Sequence, residues 1–181
     1  MARIKPISRK TASAKTGKIL DGVEMKLGMV PNMIATMAQS EAAVQAYLSF
    51  SQALSSGVTS APLREQIALA VSQQNECNYC VAAHAAIAGT IGLTEDEIRD
   101  ARTATSPERE TEAALQFARH VVDQRGAVSD DQITSIRQAG FGDAEIVEVI
   151  AHIALSIFTN YFNRAAQTEI DFPHVAEVST A

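Results

Sequence analysis

Tryptophan is absent from the chain, and aromatic residues make up only 5% of it. A core of stacked rings is thereby excluded, and Ala, Ile, Leu, Val and Met must fill the interior. Glycine is also sparse, and an alanine-rich chain of this kind favours packed helices. No basic surplus is present: the formal charge of −6 argues against a general nucleic-acid binder and suits a mixed charged surface. No uninterrupted apolar stretch approaches the roughly 20 residues that span a bilayer. Cysteine occurs twice, with no second paired cluster elsewhere. The N-terminal stretch MARIKPISRKTASAKTGK is basic but lacks the apolar core of a signal peptide. Its composition superficially suits a transit peptide; an extended lead-in is the preferred reading. The default compartment is therefore the cytoplasm, where a disulfide is more often catalytic or transient than structural.

What is present is 46% apolar residues in 181, enough for one domain or two small lobes sharing a core. The lobes divide at Thr105-Ser106-Pro107, with about 13–104 on one side and about 108–170 on the other. Ile19, Leu20, Val23 and Leu27 recur at helical spacing before Gly28. Pro31 opens a short helix through Met37, and Ser40-Glu41 begins another that Gly57 stops. Ser60 caps the next, followed by a helix from about Tyr79 to Ala88 with Asn75 or Asn78 as its expected cap. Thr94 starts a short capping-box helix, and further helices cover about 108–124, 129–140 and 143 onward. The last is apolar on more than one face and is expected to be buried. The fold class predicted is all-α, a compact bundle of about eight helices with no strand.

Chemistry concentrates in Glu65–His84, EQIALAVSQQNECNYCVAAH. Cys77 and Cys80 form a C-x-x-C pair, and His84 follows one turn later, so the three share a helix face at i, i+3 and i+7. A thiol attacks only as thiolate, and the free N–H groups and dipole of a helix start favour that anion. His84 can take its proton. One sulfur then attacks a peroxide or a disulfide and the other resolves it, leaving a Cys77–Cys80 bond. Glu65 lies twelve residues before Cys77, a rise of about 18 Å on a continuous helix. It joins the site only if the chain reverses between Gln73 and Asn78; otherwise it is a first-turn surface acid. Spacing leaves both readings open.

The pattern E-x11-C-x-Y-C-x3-H, as Glu65, Cys77, Tyr79, Cys80 and His84, resembles the alkylhydroperoxidase D family within the carboxymuconolactone decarboxylase superfamily. LGMVPNM, LREQIALAVS and NYFNRAAQTEIDFP resemble its peroxidase-related branch. The resemblance implies an all-helical homo-oligomer that needs no cofactor and reduces hydrogen peroxide or organic hydroperoxides. It implies Cys80 as the peroxide-reacting thiol, Cys77 as its resolving partner, and Glu65 with His84 as a proton relay. It also implies an external thiol or dithiol reductant, which in the best-known members is a lipoylated protein. Some members carry histidine where this chain has Tyr79.

Three rivals share the same residues. Two thiolates and His84, with Glu65 or another histidine as a fourth ligand, would bind zinc, but such pairs normally come with a second cluster. A decarboxylase or lactone-processing enzyme of the wider superfamily would not need the dithiol. A non-enzymatic metal- or partner-binding protein completes the set. Outside this stretch, His152 reads as a hydrogen-bonded core residue, and Asn160 and Asn163 as ties between the last helix and its neighbours. Met25, Met29, Met33 and Met37 read as core or interface packing.

Overall fold

The computed structural model describes residues 1–178. Among them are nine helices and no strand: α1 (Ala14–Leu27), α2 (Asn32–Met37), α3 (Glu41–Ser55), α4 (Ala61–Gln74), α5 (Asn78–Thr90), α6 (Glu95–Arg102), α7 (Arg109–Asp123), α8 (Asp130–Gln138) and α9 (Asp143–Ala166). The all-α expectation holds: the stated total of about eight is one short, but each of the nine helices matches a stretch read from the sequence. Five starts are capped as side-chain chemistry dictates: Ser13, Ser40, Ser60, Thr94 and Ser129 each accept the backbone N–H three residues on. Each such cap contributes about 1 kcal/mol.

The bundle is built around α4, which packs on α5, α6, α7 and α9. Its segment Gln66–Ser72 is buried without interruption, which accounts for the unbroken apolar run IALAV at 67–71. Ile67, Leu69 and Val71 join Leu115, Phe117, Val149 and Ile153 in one buried cluster. A second gathers Leu20, Val23, Met33, Ile34, Met37 and Val44 around Cys77, Tyr79 and Cys80. Helix α5 bridges them, since its first turn lies in the second cluster and Ala88 in the first. Met33 and Met37 are core, whereas Met25 is exposed.

Helix α9 has the length and composition of a membrane span, contrary to the expectation that none would. That expectation rested on uninterrupted apolar runs, and His152, Ser156 and Asn160 break this one. All three are buried, and the helix packs on α3, α4, α5 and α7. Burial is one-sided: Ile146, Val149 and Ile153 face inward, while Val147, Ile150, Phe158 and Tyr161 are exposed. Beyond α9 an irregular tail returns across α2 and α5. The Asn32 backbone N–H donates to Asp171 Oδ2 at 2.7 Å, and Arg102 donates to the Ala176 carbonyl at 2.7 Å.

Candidate active site

The reversal that Glu65 requires is made by three residues. Asn75 ends α4, Glu76 adopts a left-handed φ of 52°, and Cys77 begins α5. The Cys77 N–H donates to the Ser72 carbonyl at 2.9 Å and the Glu76 N–H to that of Gln73 at 3.0 Å. This is the paired closure by which helices commonly end on a glycine, made here on a glutamate. The expectation that Asn75 or Asn78 caps α5 is corrected: Cys77 is the cap, its Sγ accepting the Cys80 N–H at 3.4 Å. Asn75 instead closes α4 and donates to Asn160 Oδ1 at 3.0 Å, while Asn160 donates to Ser72 Oγ at 3.1 Å. A fully buried amide thus ties α9 to both ends of the α4 turn.

With α5 folded back along α4, Glu65 Oε2 lies 2.7 Å from His84 Nδ1, both side chains largely buried. A carboxylate at Nδ1 selects the tautomer with the proton there, leaving Nε2 as a base. Cys77 and Cys80 are joined as a disulfide with Cα atoms 5.3 Å apart, each 2% exposed. All four candidate residues are therefore brought together, with Cys77 just outside the helix rather than on its face.

Two hollows meet at His84. One, of about 430 Å³ and mainly apolar, is lined by Cys80, His84, Met33, Ile34, Tyr79 and Phe172 among others. The second, about 190 Å³, is lined by Glu65, His84, Arg64 and His152. Tyr47, His84 and Thr159 line both. A larger hollow of about 510 Å³ beneath the tail touches none of the four candidates.

Burial raises the Tyr79 hydroxyl far above its ordinary range; Asp171 adds to this and the Met33 N–H opposes it. That N–H donates to Tyr79 Oη at 3.1 Å, and the ring meets Phe172 edge-on at 5.7 Å. Burial, then Glu65, pushes Tyr47 up to about 12. Both phenols therefore stay protonated at neutral pH. His152 is 7% exposed but not hydrogen-bonded through Nε2 as expected. Burial chiefly, and Arg64 next, lowers its pKa. Asn163, expected to tie α9 to a neighbouring helix, does so at the sulfur: its Nδ2 donates to Cys80 Sγ at 3.3 Å. Only its position in the NYFN segment signalled it. Among the described residues, no group of three or more His, Cys, Asp or Glu side chains is placed to hold a metal ion.

An all-α bundle with a C-x-x-C pair at a helix start and a Glu–His pair beside it defines a protein of the AhpD-like class. More particularly, residues 35–124 match the model of the carboxymuconolactone decarboxylase family, and the chain belongs to that family. Similar solved structures include the alkylhydroperoxidase AhpD core of an uncharacterized peroxidase-related protein from Ralstonia eutropha JMP134. Its TM-score is 0.83 at 24% identity, over 94% of this chain and 92% of that one. An uncharacterized peroxidase-related protein from Silicibacter sp. TM1040 gives 0.80 at 22% identity, over 92% and 91%. The debrominase Bmp8 gives 0.79 at 23%, over 93% and 91%, and has also been solved as a cysteine-to-alanine variant with 2,3,4-tribromopyrrole. At these identities the likeness is one of fold. No curated protein sequence matches the chain.

Proposed function

We propose that the protein is a thiol-dependent peroxidase that reduces hydrogen peroxide or small organic hydroperoxides. The observation that carries this is the Glu65–His84 pair, with His84 and Cys80 in the wall of one apolar hollow and Cys77 bonded to Cys80. In the reduced protein, His84 Nε2 takes the Cys80 proton and Glu65 stabilises the resulting imidazolium. The Cys80 thiolate attacks the terminal peroxide oxygen: an S–O bond forms, the O–O bond breaks, and sulfur is oxidised by two electrons. The alkoxide leaving group takes the proton from His84 and departs as alcohol. Cys77 then attacks the Cys80 sulfenic acid, releasing water and closing the disulfide. An external thiol or dithiol, a lipoylated protein being one such donor, returns both thiols. A dithiol cycle of this kind fits a reducing compartment such as the cytoplasm. The exposed apolar residues of α9 fit assembly with further copies of the chain.

Cys80→Ser abolishes peroxide consumption with a dithiol reductant, whereas Cys77→Ser leaves a sulfenic acid that dimedone traps. Mild peroxide converts the reduced wild type to a species lighter by two hydrogens. Full turnover by Cys80→Ser would sink the reading. The apolar hollow beside Cys80 favours one second reading, reductive dehalogenation of a small aromatic; the similarly folded Bmp8 is a debrominase. There the dithiol gives two electrons, a carbon–bromine bond becomes carbon–hydrogen, and bromide leaves. Bromide release from tribromopyrrole without peroxide turnover would select it.

A further inference from the structure

We propose that Asn163 is a catalytic residue that stabilises the attacking Cys80 thiolate through its side-chain amide. This rests on the dithiol reading above and assigns a residue that spacing from the C-x-x-C pair cannot reach, since Asn163 comes from α9.

The two sulfurs differ in what they touch. Cys77 Sγ accepts the backbone N–H of Cys80 and so serves as the cap of α5. Cys80 Sγ accepts from Asn163 Nδ2 at 3.3 Å, and only Cys80 lines the apolar hollow. Cys80, 2% exposed in a wall shared with Ile34, Tyr79 and Phe172, would hold its proton more tightly than a free thiol, because burial disfavours the anion. Two features oppose this. Cys80 is the third residue of α5, among the N–H groups with no partner within the helix. Asn163 adds a directed donor, and hydrogen bonds to a charged acceptor are roughly twice as strong as neutral ones.

The amide itself supports the assignment. Asn163 is 3% exposed, and its Oδ1 has no partner. A buried amide with an orphaned oxygen is unfavourable as a structural tie. Asn160, one turn earlier, shows what a tie looks like here, with both its oxygen and its nitrogen bonded. The two asparagines, three apart on one helix face, therefore divide the work: Asn160 fastens α4, and Asn163 addresses the sulfur.

The test is the pH dependence of iodoacetamide alkylation at Cys80, resolved by peptide mass in the fully reduced full-length protein. Asn163→Ala raises the apparent Cys80 pKa and slows its alkylation at pH 7 by about tenfold or more. Asn163→Asp, nearly the same shape, raises it further by setting a carboxylate against the thiolate. Cys77 moves little in either. An unchanged Cys80 profile in either variant, with helicity retained by circular dichroism, overturns the proposal. A third measurement needs no substitution: the Asn163 side-chain amide protons shift in NMR with the same midpoint as Cys80 ionisation. Their failure to titrate overturns the proposal even if both variants unfold. Alkylation uses no peroxide, so a wild type inactive on peroxides would sink the proposed function and leave this assignment standing. An unshifted Cys80 would do the reverse.

Discussion

At the scale of single residues, the Glu65–His84 contact is the arrangement with the most direct chemical consequence. The carboxylate fixes the ring through Nδ1, and His84 stands in the wall of the hollow that Cys80 lines. Glu65→Gln preserves the shape and a hydrogen bond but removes the charge that, in the proposed cycle, stabilises imidazolium. It lowers kcat/KM for peroxide by about a hundredfold, read from initial rates across pH 5 to 9. His84→Gln does the same, and the double variant is no worse than the more damaged single one, because the pair acts as a unit. Sequence spacing singled out the four candidates, yet left open whether Glu65 reaches His84 or stays a surface acid. The deciding event was the left-handed turn at Glu76, and that conformation is usually announced by glycine. Asn163 was legible only as an asparagine in a buried helix; its aim at Cys80 depends on the angle at which α9 crosses α5.

Among the elements, α4, α5 and α9 form the frame that holds the sulfurs in register. Caps, starts and stops were readable along the whole chain, since Ser60, Thr94 and Ser129 advertise helix starts by side-chain chemistry alone. The start of α5 was not, because a cysteine occupies the position where asparagine is the usual signal. The frame is fastened by Asn160, which is fully buried between Ser72 and Asn75. Asn160→Ala removes both bonds and leaves the Asn75 amide and the Ser72 hydroxyl without that partner inside the bundle. The expected loss is about 2–4 kcal/mol, measured by urea unfolding of the oxidised protein. Asn160→Asp keeps only the acceptor half and is also destabilised, because a carboxylate would lie buried between two helices.

For the molecule as a whole, the position of His152 predicts how stability responds to acid. Burial and Arg64 of α4 favour its neutral form; Glu148 on its own helix and Glu65 on α4 partly oppose them. Because the folded pKa is depressed, the unfolded chain binds the proton more readily. The contribution is complete above about pH 6.5 and is lost as pH falls through the folded value. Glu148 behaves similarly at lower pH: backbone N–H groups of Val58 and Thr59 depress its pKa, so its share is present above the ordinary carboxylate value and disappears below it. Denaturation midpoints therefore fall first just under pH 6.5, and His152→Gln flattens that segment while leaving the more acidic one. An unaltered slope in His152→Gln would refute the assignment. The all-helical class was plain from composition, whereas the one-sided burial of α9 was not: a helix apolar all round does not reveal which side the bundle covers.

His84 stands between a greasy chamber that ends at sulfur and a smaller polar one that holds Glu65. In the proposed cycle the reactant would occupy the first and the proton would leave through the second. A bulky occupant lodged over Cys80 need not stop the imidazole from re-equilibrating with water behind it. A competitive blocker of the first entrance should slow turnover without changing the acidity that the enzyme's rate profile reports.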